Sequence, residues 1–149
     1  MKMSPDLRQW FADQGRRGGL RRARKLSPEA RRRIAIGAAL TRWTKRRFGA
    51  QNFESLGLPG GQLVDKGLRD YAAGQSSPEA LLVDLAASRL RREGVPVPQP
   101  SSGWRKAVPD PHLRLYELIE QSAGELAHSR YNALLRQVVS FGDALAQTK

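Results

Sequence analysis

The sequence predicts an all-α protein, a small bundle of about four to six helices with a flexible basic N-terminal arm. Three observations predict it. Apolar residues recur at helical spacing in several segments, no segment of useful length alternates with the two-residue period of a strand, and four short motifs place a capping oxygen before a proline. At 149 residues the chain suits one compact domain, or a smaller domain with a tail.

Four motifs mark helix starts along the chain. Ser4, Ser27, Ser77 and Asp110 each precede a proline, and an acidic residue follows the proline in the first three. A serine or aspartate oxygen accepts a hydrogen bond from the first turn, and proline suits the first helical position because its missing N–H would be unpaired there. The acid favours the positive end of the helix dipole.

The first helix is predicted over about residues 5–14, with Leu7, Trp10 and Phe11 on one side and Gly15 at its end. Residues 15–26 contain three glycines, six Lys or Arg and no acid. Glycine loses more backbone freedom on folding than other residues, and like charges repel each other. We therefore expect residues 15–26 to be mobile without a partner.

The second helix is predicted over about residues 28–47 and is amphipathic. Ile36, Ala39, Leu40 and Trp43 follow the spacing of one helix face, which would dock on the rest of the chain. At 100° per residue the opposite face is basic, through Arg31, Arg42, Lys45 and Arg46.

The third and fourth helices are predicted to form much of the core. The third covers about residues 62–73 and ends at Gly74. The fourth, about residues 78–93, is apolar nearly all round, which is typical of a central helix. Residues 94–111 contain five prolines and predict an extended linker that can still pack on its neighbours.

The C-terminal part predicts two helices, about residues 111–127 and 129–146, meeting near His128. An apolar stripe runs from Tyr131 to Leu145. This stripe can pack within the chain or across a homodimer, and the sequence leaves both arrangements open.

The net positive charge lies entirely in the first third of the chain. Residues 1–50 contain 15 Lys or Arg and three acids, whereas residues 51–149 contain 11 basic and 11 acidic residues. We therefore predict two parts: residues 1–48 as a basic arm with one or two amphipathic helices, and residues 49–149 as a helical core domain that includes the linker. Such asymmetry indicates a polyanionic partner.

Nucleic acid is the first candidate partner, because arginine makes bidentate contacts with phosphate and stacks on bases. The hypothesis is a small regulatory protein that binds nucleic acid through phosphate contacts. No sequence discrimination is predicted, since residues 15–26 lack Asn and Gln. The candidate contact residues are Arg16, Arg17, Arg21, Arg22, Arg24, Lys25, Arg31, Arg42, Lys45 and Arg46.

Two other partners remain open. In the first alternative, the chain is an antitoxin-like or adaptor module whose basic arm wraps an acidic protein. In the second, the helix over residues 28–47 lies on an acidic membrane surface, although Ala and Gly make its apolar side weakly hydrophobic. No apolar run approaches the ~20 residues that cross a bilayer, so no transmembrane segment is predicted.

Composition favours a bacterial, cytoplasmic protein. The preference for Arg over Lys, with frequent Ala, Gly and Pro, is what GC-rich codons produce, and a chain without cysteine fits a reducing compartment. Association with the nucleoid follows if the polyanion is chromosomal DNA.

The sequence predicts no enzyme, no cofactor and no metal site. It lacks cysteine and the common phosphate-loop, dinucleotide, zinc-protease and hydrolase motifs. One polar patch could form an acid–base cluster through His128, Arg130, Tyr131 and Asn132. The alternative is a helix junction whose polar groups satisfy one another.

Residues 19–43 resemble the short basic segment of the bacterial and plant stress-associated KGG type. The resemblance covers about a sixth of the chain and departs from that type in favouring Arg over Lys and in occurring once instead of as a repeat. It implies a basic accessory element without catalysis. The matching residues are Gly18, Gly19, Ala23, Leu26, Ser27, Pro28, Glu29, Ile34, Ala35, Ala38, Ala39 and Trp43.

Overall fold

The structure is a computed structural model that describes residues 4–148. The side chain of Ala23, a residue of the KGG-type resemblance, lies outside the described residues. From residue 4 to 148 the chain forms helices and turns without a strand, which confirms the predicted all-α bundle. Its helices are α1 (Pro5–Lys25), α2 (Pro28–Phe48), α3 (Gly61–Ala73), α4 (Pro78–Arg92), α5 (Trp104–Ala107, a single turn), α6 (Pro111–Ala123) and α7 (Ala127–Gln147).

All four predicted helix starts are confirmed. The side chains of Ser4, Ser27 and Ser77 accept hydrogen bonds from backbone N–H groups three residues on, at 3.4, 3.1 and 3.2 Å. Asp110 accepts from two N–H groups, at 2.9 and 3.1 Å. Each cap is worth about 1 kcal/mol, so the motifs fix where α1, α2, α4 and α6 begin.

Helix α4 lies at the centre of the bundle, as its apolar sequence predicted. Helices α3, α6 and α7 pack against it. Burying one such leucine contributes about 1.5–3 kcal/mol, so this helix supplies a large share of the stability. The buried apolar residues of α4 are Ala80, Leu81, Leu82, Val83, Ala87 and Leu90.

Helix α7 buries its stripe within the chain. Val138, Phe141, Gly142 and Leu145 are buried, and α7 packs on α4 and α6. Of the two arrangements left open by the sequence, the structure shows the intramolecular one. A homodimer stays a prediction, and the stripe no longer supports it.

The C-terminal half of α2 docks on α3. Leu40 and Thr44 are buried, and Ile36 and Trp43 are half-buried. Ala39 is exposed, so its predicted place on the docking face is wrong.

Buried Phe53, in the connection after α2, ties that helix into the bundle. Its ring lies edge-on to Trp43 at 5.9 Å and to Phe141 at 5.0 Å. The Thr44 hydroxyl also donates a hydrogen bond of 2.9 Å to the carbonyl oxygen of Gln51. The bundle thus begins within α2, while the predicted division at residue 48 stays a prediction.

Helix α1 is longer than predicted, because Gly15 does not end it. The helix continues to Lys25. A glycine in a helix interior costs about 1 kcal/mol relative to alanine, which weakens a helix without stopping it. The helix ends where Leu26 and Ser27 become extended before Pro28, a conformation that proline imposes on the residue before it. The mobility of residues 15–26 stays a prediction.

The proline-rich linker packs on the bundle. Val95 and Val108 are buried with Trp104, and Val97 is half-buried. Trp104 opens the single-turn helix α5, which the sequence did not predict.

Two helices follow the linker, as predicted, and α7 begins directly before His128, but α6 ends at Ala123, about four residues earlier than predicted. Gly124 adopts φ 52° and ψ −124°, a conformation open only to glycine. A 3₁₀ turn over Gly124–Leu126 then leads into α7.

Candidate nucleic-acid interface

The basic face of α2 points away from the bundle. Helical geometry places Leu40 and Thr44 on the docked side, so residues about half a turn away face outward. The four predicted residues on that outward side are all exposed. They are Arg31, Arg42, Lys45 and Arg46.

The six cations of residues 16–25 surround helix α1. At 100° per residue they leave no gap wider than about a third of a turn. No helix of the bundle packs along α1, and among its described side chains none is buried. The six residues, all exposed, are Arg16, Arg17, Arg21, Arg22, Arg24 and Lys25.

Two further arginines of α2 do not belong to the outward face, because their side chains contact other residues of the protein. Arg32 donates a hydrogen bond of 2.7 Å to the carbonyl oxygen of Gln99 in the linker. The Arg47 guanidinium lies over the rings of Trp43 and Phe48, at 5.6 and 5.4 Å from their centres. The Arg32 hydrogen bond ties α2 to the linker, whereas the Arg47 contacts lie within α2. Both arginines therefore lie outside the outward face.

Five carboxylates of the bundle pair with cations of the bundle. Lys66 bridges Asp70 and Glu79, and further ion pairs join Arg89 to Asp143, Arg105 to Asp84 and Arg114 to Glu117. None of these ion pairs includes one of the ten candidate residues. The positive charge of α1 and of the outer face of α2 is therefore directed to solvent.

Glu29, the acid within this basic segment, serves the start of α2. Hydrogen bonds from its own backbone N–H and from the Ser27 hydroxyl hold the pKa of Glu29 below its ordinary value. It thus remains ionised near the positive end of the helix dipole at neutral pH.

A shallow pocket of about 280 Å³ lies at the corner between α1 and α2. Leu26, Ile34 and Ala35 give it an apolar wall, and Arg22 and Arg31 line it with cations. Sequence reasoning missed this pocket. The sequence feature that could have indicated the pocket is Ile34, an apolar residue outside the docking face of α2.

An apolar cluster occupies the first turns of α1. The sequence placed Leu7, Trp10 and Phe11 on one side of the helix, and the structure leaves them 48, 56 and 52% exposed. The two aromatic rings lie edge-on, with centres 5.0 Å apart. This cluster shares its helix with the six cations, and no helix among the described residues packs along it.

The proposed acid–base cluster near His128 does not assemble. His128 Nε2 lies 3.0 Å from Asn132 Nδ2, so these two satisfy each other. The Tyr131 hydroxyl instead lies 2.7 Å from His112 Nδ1. Arg130 is exposed and lines a separate pocket. The arrangement agrees with a helix junction whose polar groups pair locally.

A polar cleft of about 200 Å³ separates α2 from the segment before α3. Half-buried Asp65 lines this cleft and accepts hydrogen bonds from the backbone N–H groups of Phe53 and Glu54 at 3.3 and 3.0 Å. Burial raises the pKa of Asp65, and these two hydrogen bonds oppose the shift. The carboxylate holds the loop, which is a structural role.

Over residues 4–148, no three His, Asp or Glu side chains lie close enough together to hold a metal ion. None of the helices in this range is long and apolar enough to cross a membrane. Comparison of the chain with protein-family models, with curated proteins and with solved structures found no match.

Proposed function

We propose that this chain binds nucleic acid through phosphate contacts from α1 and the outer face of α2, as a small regulatory protein would. The observation that carries the proposal is the ring of six exposed cations on α1, a helix that no other helix of the described chain covers. A helix with cations on all sides can reach phosphates on both walls of a groove, or follow a strand wrapped around it.

The outer face of α2 adds four cations next to this helix. The bundle beyond residue 50 carries no net charge, so electrostatic attraction acts on α1 and α2 in particular. Arginine donors suit phosphate oxygens, and no base-reading contact is needed for binding of this kind.

The test is a salt titration of duplex binding, followed by fluorescence anisotropy with a labelled 20-base-pair DNA. If about six phosphates are neutralised, the logarithm of affinity falls with the logarithm of salt at a slope near −5. Affinity then drops about 10³-fold between 50 and 200 mM salt. Affinity that ignores salt would overturn the proposal.

A charge-matched pair of variants locates the contact. The first variant changes the six cations of residues 16–25 to glutamine and should reduce the magnitude of the slope by more than half. The second removes the same charge from the bundle and should leave the slope unchanged. Equal loss in both variants would show a general charge effect and contradict the proposed interface. The bundle residues for the second variant, all exposed, are Arg69, Arg91, Arg92, Lys106, Arg130 and Arg136.

A second candidate, an antitoxin-like or adaptor protein with an acidic protein partner, is favoured by the pocket between α1 and α2. An apolar wall beside Arg22 and Arg31 fits an acidic segment that carries a large apolar side chain. A stoichiometric protein complex that survives nuclease treatment, and that Ile34→Glu abolishes, would favour this candidate over nucleic acid.

A further inference from the structure

We infer that Trp10 and Phe11 form a stacking site for unpaired bases, so that the preferred ligand is single-stranded nucleic acid. This inference rests on the proposed function and names the form of nucleic acid that the same surface takes. Its basis is the placement of two exposed aromatic rings on a helix whose following turns carry the cations.

The two rings take no part in the core of the bundle. Both are more than half exposed, and within the described residues no helix packs along α1. Exposed aromatic rings beside a basic surface are the combination by which proteins hold single strands, because every base has a face that stacks.

Three of the six cations lie on the same face of α1 as Trp10. Successive steps of three or four residues lead from Trp10 through Gln14 to Arg17, Arg21 and Lys25. Trp10 and Arg21 are separated by about 16 Å along the helix axis. A stacked strand covers that length with about five nucleotides. One strand can therefore place bases on the rings and phosphates on the cations.

A duplex cannot use this site in the same way. Its bases are stacked on each other and present only their edges in the grooves. The rings then add little to duplex affinity, which depends on the cations alone.

The charge of α1 and the polarity of its face argue against two other partners for the aromatic rings, a second copy of the chain and a membrane surface. A second copy of α1 would bring two strongly basic segments together, since residues 15–26 contain six cations and no acid. A membrane-surface helix needs an apolar face along its length, whereas this face becomes polar at Gln14 and basic from Arg17.

The test compares the affinities of the full chain for a 20-nucleotide oligo(dT) and for a 20-base-pair duplex. Stacking on aromatic rings contributes enough that Trp10→Ala with Phe11→Ala should weaken oligo(dT) binding at least about fivefold per stacked base. Duplex affinity should change less than twofold. Trp10→Phe should retain most of the oligo(dT) affinity. Leu20→Ala, on another side of α1, is the matched control and should change neither affinity.

Fluorescence gives a direct readout of the same contact. Oligo(dT) should quench the emission of the wild type more than that of Trp10→Phe, because the buried Trp104 and half-buried Trp43 are common to both.

Failure of the inference and failure of the proposed function give different results. Absence of salt-sensitive binding to either nucleic acid overturns both. The inference alone is overturned if the chain binds oligo(dT) and duplex with equal, salt-sensitive affinity and the alanine variant binds both as tightly as the wild type. The inference is also overturned if the alanine variant keeps its oligo(dT) affinity but no longer binds phosphatidylserine vesicles, because the two rings then serve a membrane. The same holds if the variant keeps its oligo(dT) affinity but changes from a dimer to a monomer in light scattering, because the rings then serve a second copy of the chain.

Discussion

The indole Nε1 of Trp104 donates a hydrogen bond of 2.9 Å to Oδ2 of Asp84, and both groups are buried. The same carboxylate accepts from the Tyr71 hydroxyl at 3.0 Å and from both terminal nitrogens of Arg105, at 3.0 and 2.9 Å. One aspartate on the central helix thereby fixes α3, the linker and α5. A buried carboxylate with four donors is fully satisfied, which makes it costly to alter.

Asp84→Asn should destabilise the protein by about 2–4 kcal/mol, because an amide accepts through one atom only and presents N–H groups to donors. Tyr71→Phe removes one of the four hydrogen bonds and should cost about 1 kcal/mol. Urea denaturation followed by tryptophan fluorescence measures both values. Equal effects of the two substitutions would show that the network is not centred on Asp84.

The contact between α3 and α4 depends on the absence of a side chain at Gly67. A Cβ there would lie 2.4 Å from the carbonyl oxygen of Glu79 and 2.6 Å from Cγ2 of Val83. Gly67→Ala should therefore destabilise the protein by about 1–3 kcal/mol in thermal unfolding. The same substitution at Gly37 of α2, where a Cβ meets nothing within 4 Å, should stabilise by up to about 1 kcal/mol. Stabilisation at Gly67 would contradict the close helix approach.

The fold was predictable from the sequence where the determinants are local. Capping serine or aspartate, proline and a repeating apolar spacing all act within a few residues, so the starts of α2 and α4 and the central place of α4 were correct. The end predicted for α1 at Gly15 and the end predicted for α6 near residue 127 were wrong for one reason. Whether a helical glycine ends a helix depends on the conformation it adopts, and composition does not report that conformation.

The candidate interface was predictable in its residues but not in its arrangement. The basic residues could be identified by counting charges along the sequence, because charge depends on residue type alone. The pocket beside Ile34 depends on how α1 meets α2. The polar residues near His128 do not form one cluster, because the Tyr131 hydroxyl lies against His112 on another helix. Neither relationship is encoded in spacing along one helix.

The salt bridge between Lys66 and Glu79 should make stability depend on pH. Burial alone would raise the pKa of Glu79, but hydrogen bonds from Lys66, at 2.7 Å, and from the backbone outweigh it and lower that pKa. A lowered folded-state pKa gives stability that is present above the ordinary value and is lost as pH falls through the folded-state value. Glu79→Gln should therefore cost about 0.5 kcal/mol at pH 7 and nothing at pH 2 in urea denaturation.

Asp65 provides a control of opposite sign. Its raised pKa gives stability that is present at low pH and is lost as pH rises through the folded-state value. The wild type should accordingly lose stability relative to Asp65→Asn between pH 3 and pH 7. Parallel pH profiles for the wild type and both variants would contradict the two pKa directions.

The three glycines of α1 weaken a helix that has no packing partner among the described helices, so alanine in their place should strengthen it. A Cβ at Gly15, Gly18 or Gly19 meets nothing within 4 Å, and each substitution should favour the helix by up to about 1 kcal/mol. The triple alanine variant should gain helical circular dichroism at 222 nm while the thermal unfolding of the bundle stays unchanged. If α1 binds nucleic acid as a helix, ordering it beforehand should also tighten binding, measured by anisotropy. Weaker binding by the more helical variant would show instead that the bound segment needs the glycines, either for a non-helical backbone or for close approach to phosphates.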